Sequence, residues 1–249
     1  MNWFESWFDS PWYPILYAQR DEQEASEFIE KIVVSLNLPP ASSVLDLACG
    51  RGRHARCMAS LGMKVTGVDL SEMSLAYARS IPLPNLSYVR HDMRQPLNTQ
   101  AFDVVFNLFT SFGYFDDPED DLKVIRAARS SLRSGGYFVI DYLNPSVVLP
   151  FLPIQEDVER SGVLFQIKRY HKAPWIFKDI MIHDQGASHH YQEKVRCYSA
   201  LELAEILVAS GLNIIQQWGD YQLNPPYAQS PRTIFICQNP ISTSHSPIL

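Results

Sequence analysis

The stretch "VLDLACGRGRHA", residues 44–55, decides how the rest of the chain is read. An apolar run carries an acid, Asp46; a turn of small residues follows with Gly50 and Gly52, and a helical pattern begins at Arg53. Glycines in such a turn let a ligand approach the backbone, and the start of a helix offers N–H groups without intrahelical partners. The spacing Gly50-x-Gly52-x-x-Ala55 also satisfies the dinucleotide fingerprint, so alone it leaves open NAD and other adenosyl ligands.

Working outward, strand and helix alternate. "SVLDLAC", "KVTGVDL", "LSYVRHD", "FDVVFNLF" and "GYFVIDYL" read as strands, and helices are expected over "RHARCMASLG", "EMSLAYARS" and Asp117 to Arg133. Apolar runs in strands separated by helices imply a parallel sheet covered on both faces. The helix from Asp117 opens on acids and closes on Lys123, Arg126, Arg129 and Arg133. Dipole pairing and solvation explain those bases better than a phosphate-binding stripe. Upstream, "DEQEASEFIEKIVVSLNL" places Ala25, Phe28, Ile32 and Leu36 at helical spacing.

From about residue 151 the pattern changes. "VLFQIKRYH", "WIFKDIMIHD" and "HHYQEKVRCY" show partial two-residue alternation and predict an antiparallel meander. "SALELAEILVASG" is a helix with a capping box at Ser199 and Glu202 and a stop at Gly211, and "LNIIQQWGDY" and "RTIFICQ" are the closing strands.

The acids at successive strand ends sharpen the reading of the turn. Asp69 can accept hydrogen bonds from both hydroxyls of a ribose. Asp92, beside Met93, is placed to accept from an adenine amino group. Asp46 can orient the loop and a ligand's amino group. A pyrophosphate-binding loop has less use for an acid at that place.

On these residues the chain resembles the class I S-adenosylmethionine-dependent methyltransferases over about residues 41–143. "VLDLACGRGRHA", "VTGVDLSEMSLAYAR", "HDM" and "FDVVFNLFTSFGYF" carry the likeness. Ala48 stands where the family usually has its first glycine. The flanks resemble a small-molecule subgroup that includes amino-sugar and amine N-methyltransferases. The resemblance implies an α/β, Rossmann-like fold: a seven-stranded, mostly parallel sheet, an N-terminal helical cap, and an antiparallel insertion after the fifth strand. The implied division is a cap over 1–40, a cofactor-binding core over 41–150 and 199–239, a substrate lid over 151–198, and a tail over 240–249. S-adenosyl-L-methionine is the implied cofactor, held by Tyr17, Arg20, Asp46, Ala48, Gly50, Gly52, Asp69, Leu70, Asp92, Met93 and Asn107. Tyr13, Tyr17, Asn107 and Tyr114 are the candidate catalytic residues, and no metal is expected. "NPPY", residues 224–227, resembles the amine-gripping loop of base-modifying enzymes, but that loop follows the fourth strand. Here it joins the last two strands, so it is read as a turn.

Composition sets the outer limits. The 249 residues are 46% hydrophobic, enough for a full core, and the net charge of −6 argues against a nucleic-acid binder. Cys49, Cys57, Cys197 and Cys237 form no C-x-x-C pair, and the aromatic, acidic opening "MNWFESWFDS" differs from a secretory signal. No run reaches the length of a membrane span. The expectation is a cytoplasmic enzyme transferring a methyl group to a nitrogen or oxygen of a small molecule, with no nucleic-acid or membrane partner. The alternatives are a nucleic-acid or protein methyltransferase, and a sensor that binds the cofactor without transfer.

Overall fold

The strand order of the main sheet follows from which strands bury both faces. The structure is a computed structural model and describes residues 2–19 and 22–241. Its first five strands are β1 (Ser43–Leu47), β2 (Lys64–Asp69), β3 (Leu86–Arg90), β4 (Phe102–Asn107) and β5 (Leu132–Leu143). With β10 (Asn213–Trp218) and β11 (Arg232–Gln238) they form one sheet in the order β10-β11-β5-β4-β1-β2-β3. Pairings among β1 to β5 are parallel, and β11 runs antiparallel to both neighbours.

One face buries Leu45, Val105, Phe138 and Phe235 under α6 (Pro118–Ser131) and α8 (Ala200–Ala209). The other buries Val44, Val104, Val139 and Ile236 under α3 (Glu22–Ser35) and α4 (Arg53–Ser60). Adjacent residues of one strand therefore serve opposite cores, which is why these strands read as unbroken apolar runs. β1 lies between β2 and β4, so the chain order reverses there and the strand ends open a crevice. The loops after β1 and β4 both reach that crevice.

The helix over α6 stops earlier than its charge pattern implies. Asp117 caps it by accepting from the Glu119 N–H, and Leu132 is already extended, opening β5. Arg126 pairs with Glu119 and Lys123 with Asp120, so bases of this helix answer its own acids. The capping box at Ser199 forms as expected, with Glu202 N–H donating to Ser199 Oγ and Ser199 N–H to Glu202 Oε2.

The antiparallel sheet has four strands rather than three: β6 (Ile154–Arg160), β7 (Val163–Lys172), β8 (Trp175–Asp184) and β9 (Ala187–Arg196). The extra strand, β6, is an edge strand whose residues are mostly exposed, so its sequence shows no apolar alternation. One face of this sheet buries Val163, Phe165, Ile167, Ile180 and Ile182, and the N-terminal segment covers it.

That segment folds as two short helices, α1 (Trp3–Phe8) and α2 (Tyr13–Leu16), and bridges the two sheets. Trp7 is wholly buried against the antiparallel sheet. Trp12 Nε1 donates to Asp184 Oδ2 at 2.9 Å. On the core side Asp9 serves α5 (Glu72–Arg79): its Oδ1 accepts from Ser71 Oγ and from Met73 N–H, both at 2.9 Å. Arg20 and the tail beyond Ile241 lie outside the described residues.

"NPPY" lies in the connection between β10 and β11. Asn224 Nδ2 donates to Asp220 Oδ2, its N–H to Asp220 Oδ1, and its carbonyl accepts from Gly219 N–H. Its side chain serves that turn.

Replacing Asp9 by alanine removes a carboxylate that satisfies an N-terminal N–H of α5 from another part of the chain. A loss of ~1 kcal/mol is expected in urea unfolding, as for other helix caps, with Asp9→Asn closer to the parent. Unchanged midpoints for Asp9→Ala would show that this stitch between cap and core carries no stability.

Candidate active site

The turn after β1 is held open by backbone conformation and closed by one carboxylate. Ala48, Gly50 and Gly52 all have positive φ, at 54°, 55° and 78°. For Ala48 this is the left-handed region that a glycine would occupy without steric cost. A side chain on Gly52 would collide with Tyr88, whereas the Cα of Gly50 faces open space. Gly52 is required by packing and Gly50 by access.

Asp69 links the turn to the end of β2. Its Oδ2 accepts from Gly50 N–H at 2.7 Å and its Oδ1 from Ser71 N–H at 2.9 Å. Burial raises its pKa, against the lowering effect of those N–H groups. Asp46, 2% exposed, lies beneath the turn, and its Oδ2 has no hydrogen-bond partner. Burial, and then the charge of Asp69, push its pKa up to about 8. The site thus holds two buried acids close together, and burial raises the pKa of both.

A cavity of about 530 Å³ opens onto this turn. Ala48, Gly50, Asp69, Leu70 and Met93 line it from the core, and Tyr13, Tyr17 and Tyr114 from the cap and the loop after β4. Of the sequence-derived candidates, these eight share one space. Asp46 and Gly52 stand behind the turn rather than on the cavity wall. Asp92 lies outside the wall as well. Burial works against its ionisation, but Arg94, bonded to both carboxylate oxygens, holds its carboxyl below the usual range. Its neighbours His91 and Met93 face the cavity instead.

Asn107 is fully buried, and its Nδ2 donates to the Ser111 carbonyl at 3.0 Å, so its amide shapes the β4 loop from below. Tyr17 donates to Glu193 Oε1 at 2.6 Å and accepts from Lys178 Nζ, both from the antiparallel sheet. Tyr114 donates to the Thr110 carbonyl at 2.7 Å, and its ring lies 5.3 Å from that of Trp3.

Three residues that the sequence reading passed over hold the β4 loop. Phe109 and Thr110 have φ of 59° and 61°, a costly pair for a bulky and a β-branched residue. Asp141 accepts from Phe109 N–H through Oδ2 at 2.8 Å, and its carbonyl accepts from Thr110 N–H. Arg232 binds Asp141 Oδ1 at 2.7 Å and Thr110 Oγ1 at 2.9 Å, and Tyr221 donates to Asp141 Oδ2 at 3.0 Å. The carboxylate and the guanidinium over-determine a strained loop on the cavity wall. The signal in sequence was a charge within one apolar strand, "VIDYL", and one at the head of another, "RTIFI".

Comparison with known proteins agrees with this geometry. The family model described as "Methyltransferase domain" matches residues 44–136. A dTDP-3-amino-3,4,6-trideoxy-alpha-D-glucopyranose N,N-dimethyltransferase of Streptomyces venezuelae is 31% identical over 130 residues, 52% of this chain and 54% of that protein. The match thus spans about half the length of that relative. A dTDP-3-amino-3,6-dideoxy-alpha-D-glucopyranose N,N-dimethyltransferase of Streptomyces fradiae is 28% identical over 192 residues, 73% of this chain and 74% of that one. The solved structure of an S-adenosylmethionine-dependent methyltransferase from Clostridium acetobutylicum ATCC 824 superposes with a TM-score of 0.79 at 20% identity, covering 92% of this chain and 96% of that one. Residues 44–136 thus match a methyltransferase domain, and the chain has the Rossmann-like fold of the S-adenosylmethionine-dependent methyltransferases. Among the described residues no helix is long and apolar enough to cross a membrane.

The unusual protonation of Asp46 gives a testable pH dependence. A carboxyl whose folded pKa stands above its unfolded value binds its proton more tightly when folded. The resulting stability is fully present below the unfolded value of 3.8 and is lost as pH rises through about 8. Asp46→Asn removes that titration. Relative to the parent, the ligand-free variant should gain stability on going from pH 5 to pH 8, by up to ~1.4 kcal/mol per pH unit. Parallel stability curves for parent and variant would contradict the assignment.

Proposed function

We propose that this chain transfers a methyl group from S-adenosyl-L-methionine to a nitrogen of a small molecule, an amine. The observation that carries the reading is that the glycine turn with Asp69 and an aromatic wall from the cap share one cavity of about 530 Å³. The residues present fit the cofactor. Asp69 offers a carboxylate at the cavity wall for a ribose, the open face of Gly50 admits close approach, and Leu70 and Met93 offer apolar surface to a base. A cationic amino group brought to the turn would favour the ionised form of Asp46, whose Oδ2 is otherwise unpartnered.

When bound, the cofactor supplies an electrophilic methyl on a sulfonium, with a neutral thioether as leaving group. The protein's part is then to orient the acceptor, exclude water and accommodate charge. Trp3, Phe8, Tyr13, Tyr17 and Tyr114 present rings to the cavity, and ring faces attract sulfonium and ammonium groups. The antiparallel sheet acts as a lid over the acceptor, and the N-terminal helices act as the cap that joins lid to core. The amino-sugar activities named for the two curated relatives support nitrogen over oxygen. A cavity closed by lid and cap suits a small acceptor better than a nucleic acid or a protein, and the net charge of −6 agrees. Four unpaired cysteines fit a reducing, cytoplasmic setting.

The test is release of S-adenosylhomocysteine when the protein and S-adenosylmethionine meet a panel of small amines, amino sugars and phenols. Turnover is expected with at least one amine, and none with DNA or RNA. Asp69→Ala should lower cofactor affinity at least ~10-fold in calorimetry, the loss of about one charge-assisted hydrogen bond. Tight cofactor binding with no turnover across the panel would favour a sensor, and labelled nucleic acid would overturn the acceptor class.

A further inference from the structure

The lid carries a polar row that neither the cofactor turn nor the core uses. Arg169 of β7, Lys178 of β8 and Glu193 of β9 are direct cross-strand partners, and all three line the cavity. The next row on the same face is Ile167, Ile180 and Tyr191, which packs into the apolar layer beneath the cap. The polar row is therefore the first charged layer above an apolar floor. Glu156 answers Arg169 at 2.5 Å. Lys178 and Glu193 are nearly buried, with side chains 10% and 17% exposed.

The two oxygens of Glu193 are treated differently. Oε1 accepts from Trp7 Nε1 and from Tyr17 Oη, both at 2.6 Å. Oε2 has Lys178 Nζ at 3.8 Å, beyond hydrogen-bond reach. Lys178 Nζ itself donates to Tyr17 Oη and lies 4.4 Å from the centre of the Tyr17 ring. The lysine thus shows how this corner holds an ammonium: over a tyrosine face and beside a carboxylate. From Tyr17 the rings of Tyr13, Phe8 and Trp3 follow at centroid separations of 4.9, 5.0 and 5.6 Å, and Tyr114 lies 5.3 Å beyond Trp3. An aromatic wall runs without a break from Glu193 to the loop after β4.

We propose that Glu193, through Oε2 at the end of this wall, is the subsite that binds the acceptor as an ammonium, which then loses one proton to water so that its lone pair can take the methyl, with Lys178 as the resident competitor at that subsite. The proposal rests on the amine reading above and names the side chain that selects for it. A carboxylate accepts a charge-assisted hydrogen bond from an alkylammonium and a weaker one from a hydroxyl, and the rings add attraction for the cation alone. Lys178 opposes a second positive charge, so the two residues affect affinity in opposite directions.

Calorimetry with S-adenosylhomocysteine present, using cyclohexylamine (a cation at neutral pH) and cyclohexanol as probes, tests this. The parent should bind the ammonium at least ~10-fold more tightly than the alcohol, and Glu193→Gln should lose that preference. Lys178→Met should bind the ammonium more tightly than the parent, with alcohol binding unchanged. If this network only fastened cap to lid, both variants would melt lower and keep the parent's preference. Equal binding of the two probes by the parent, an intact preference in Glu193→Gln, or weaker ammonium binding by Lys178→Met would overturn the proposal. Should Glu193→Gln fail to fold, Lys178→Met keeps the carboxylate and decides by the sign of its effect. Turnover of an amine without a Glu193-dependent preference would remove the subsite and keep the function. The preference without turnover would do the reverse.

Discussion

One carboxylate ties the glycine turn to the sheet. Asp69, at the end of β2, accepts from the Gly50 N–H of the turn after β1 and from the Ser71 N–H at the head of α5. These two bonds tie the turn after β1 and the head of α5 to the end of β2. Ala48 is held at φ 54° within that turn, although glycine would adopt this conformation more readily. Asp46 is buried beneath the turn with one oxygen unpartnered and its pKa pushed up to about 8. The edge of the cavity and the electrostatics of its floor both depend on where Asp69 holds the turn.

The opposite wall is built from parts distant in sequence. Asp141 and Arg232 leave two apolar strands to hold Phe109 and Thr110 in a conformation neither residue favours. Strain of this kind persists where surrounding bonds over-determine it, and here those bonds border the cavity. The cap does similar work at a larger scale. Asp9 fastens it to α5, while Trp7 and Tyr17 fasten it to Glu193 of the antiparallel sheet. The core, the N-terminal segment and the antiparallel sheet therefore meet around one space.

Much of this was legible in the sequence. Strands buried on both faces announce themselves as apolar runs, and β1, β2 and β4 begin as those runs indicate. The glycine turn and Asp69 could be read because their chemistry is local, within one strand, one turn and the next strand end. β6 could not, because an exposed edge strand has no buried face to impose alternation. Position along the chain also does not reveal where a side chain turns. Asp92 follows β3 and Asn107 ends β4, yet Arg94 takes the carboxylate of the first and the Ser111 carbonyl accepts from the amide nitrogen of the second. Glu193 and Lys178 were hidden for a related reason. In a half-exposed strand a charge reads as solvated, and only the pairing of β8 with β9 under the cap shows otherwise.

The most direct measurement is a crystal structure of the protein with S-adenosylhomocysteine. The account predicts the ribose within hydrogen-bond distance of the Asp69 carboxylate, the adenine against Leu70 and Met93, and the sulfur directed toward the wall formed by Tyr13 and Tyr114. A ligand bound with its ribose away from Asp69, or its sulfur turned from that wall, would contradict it.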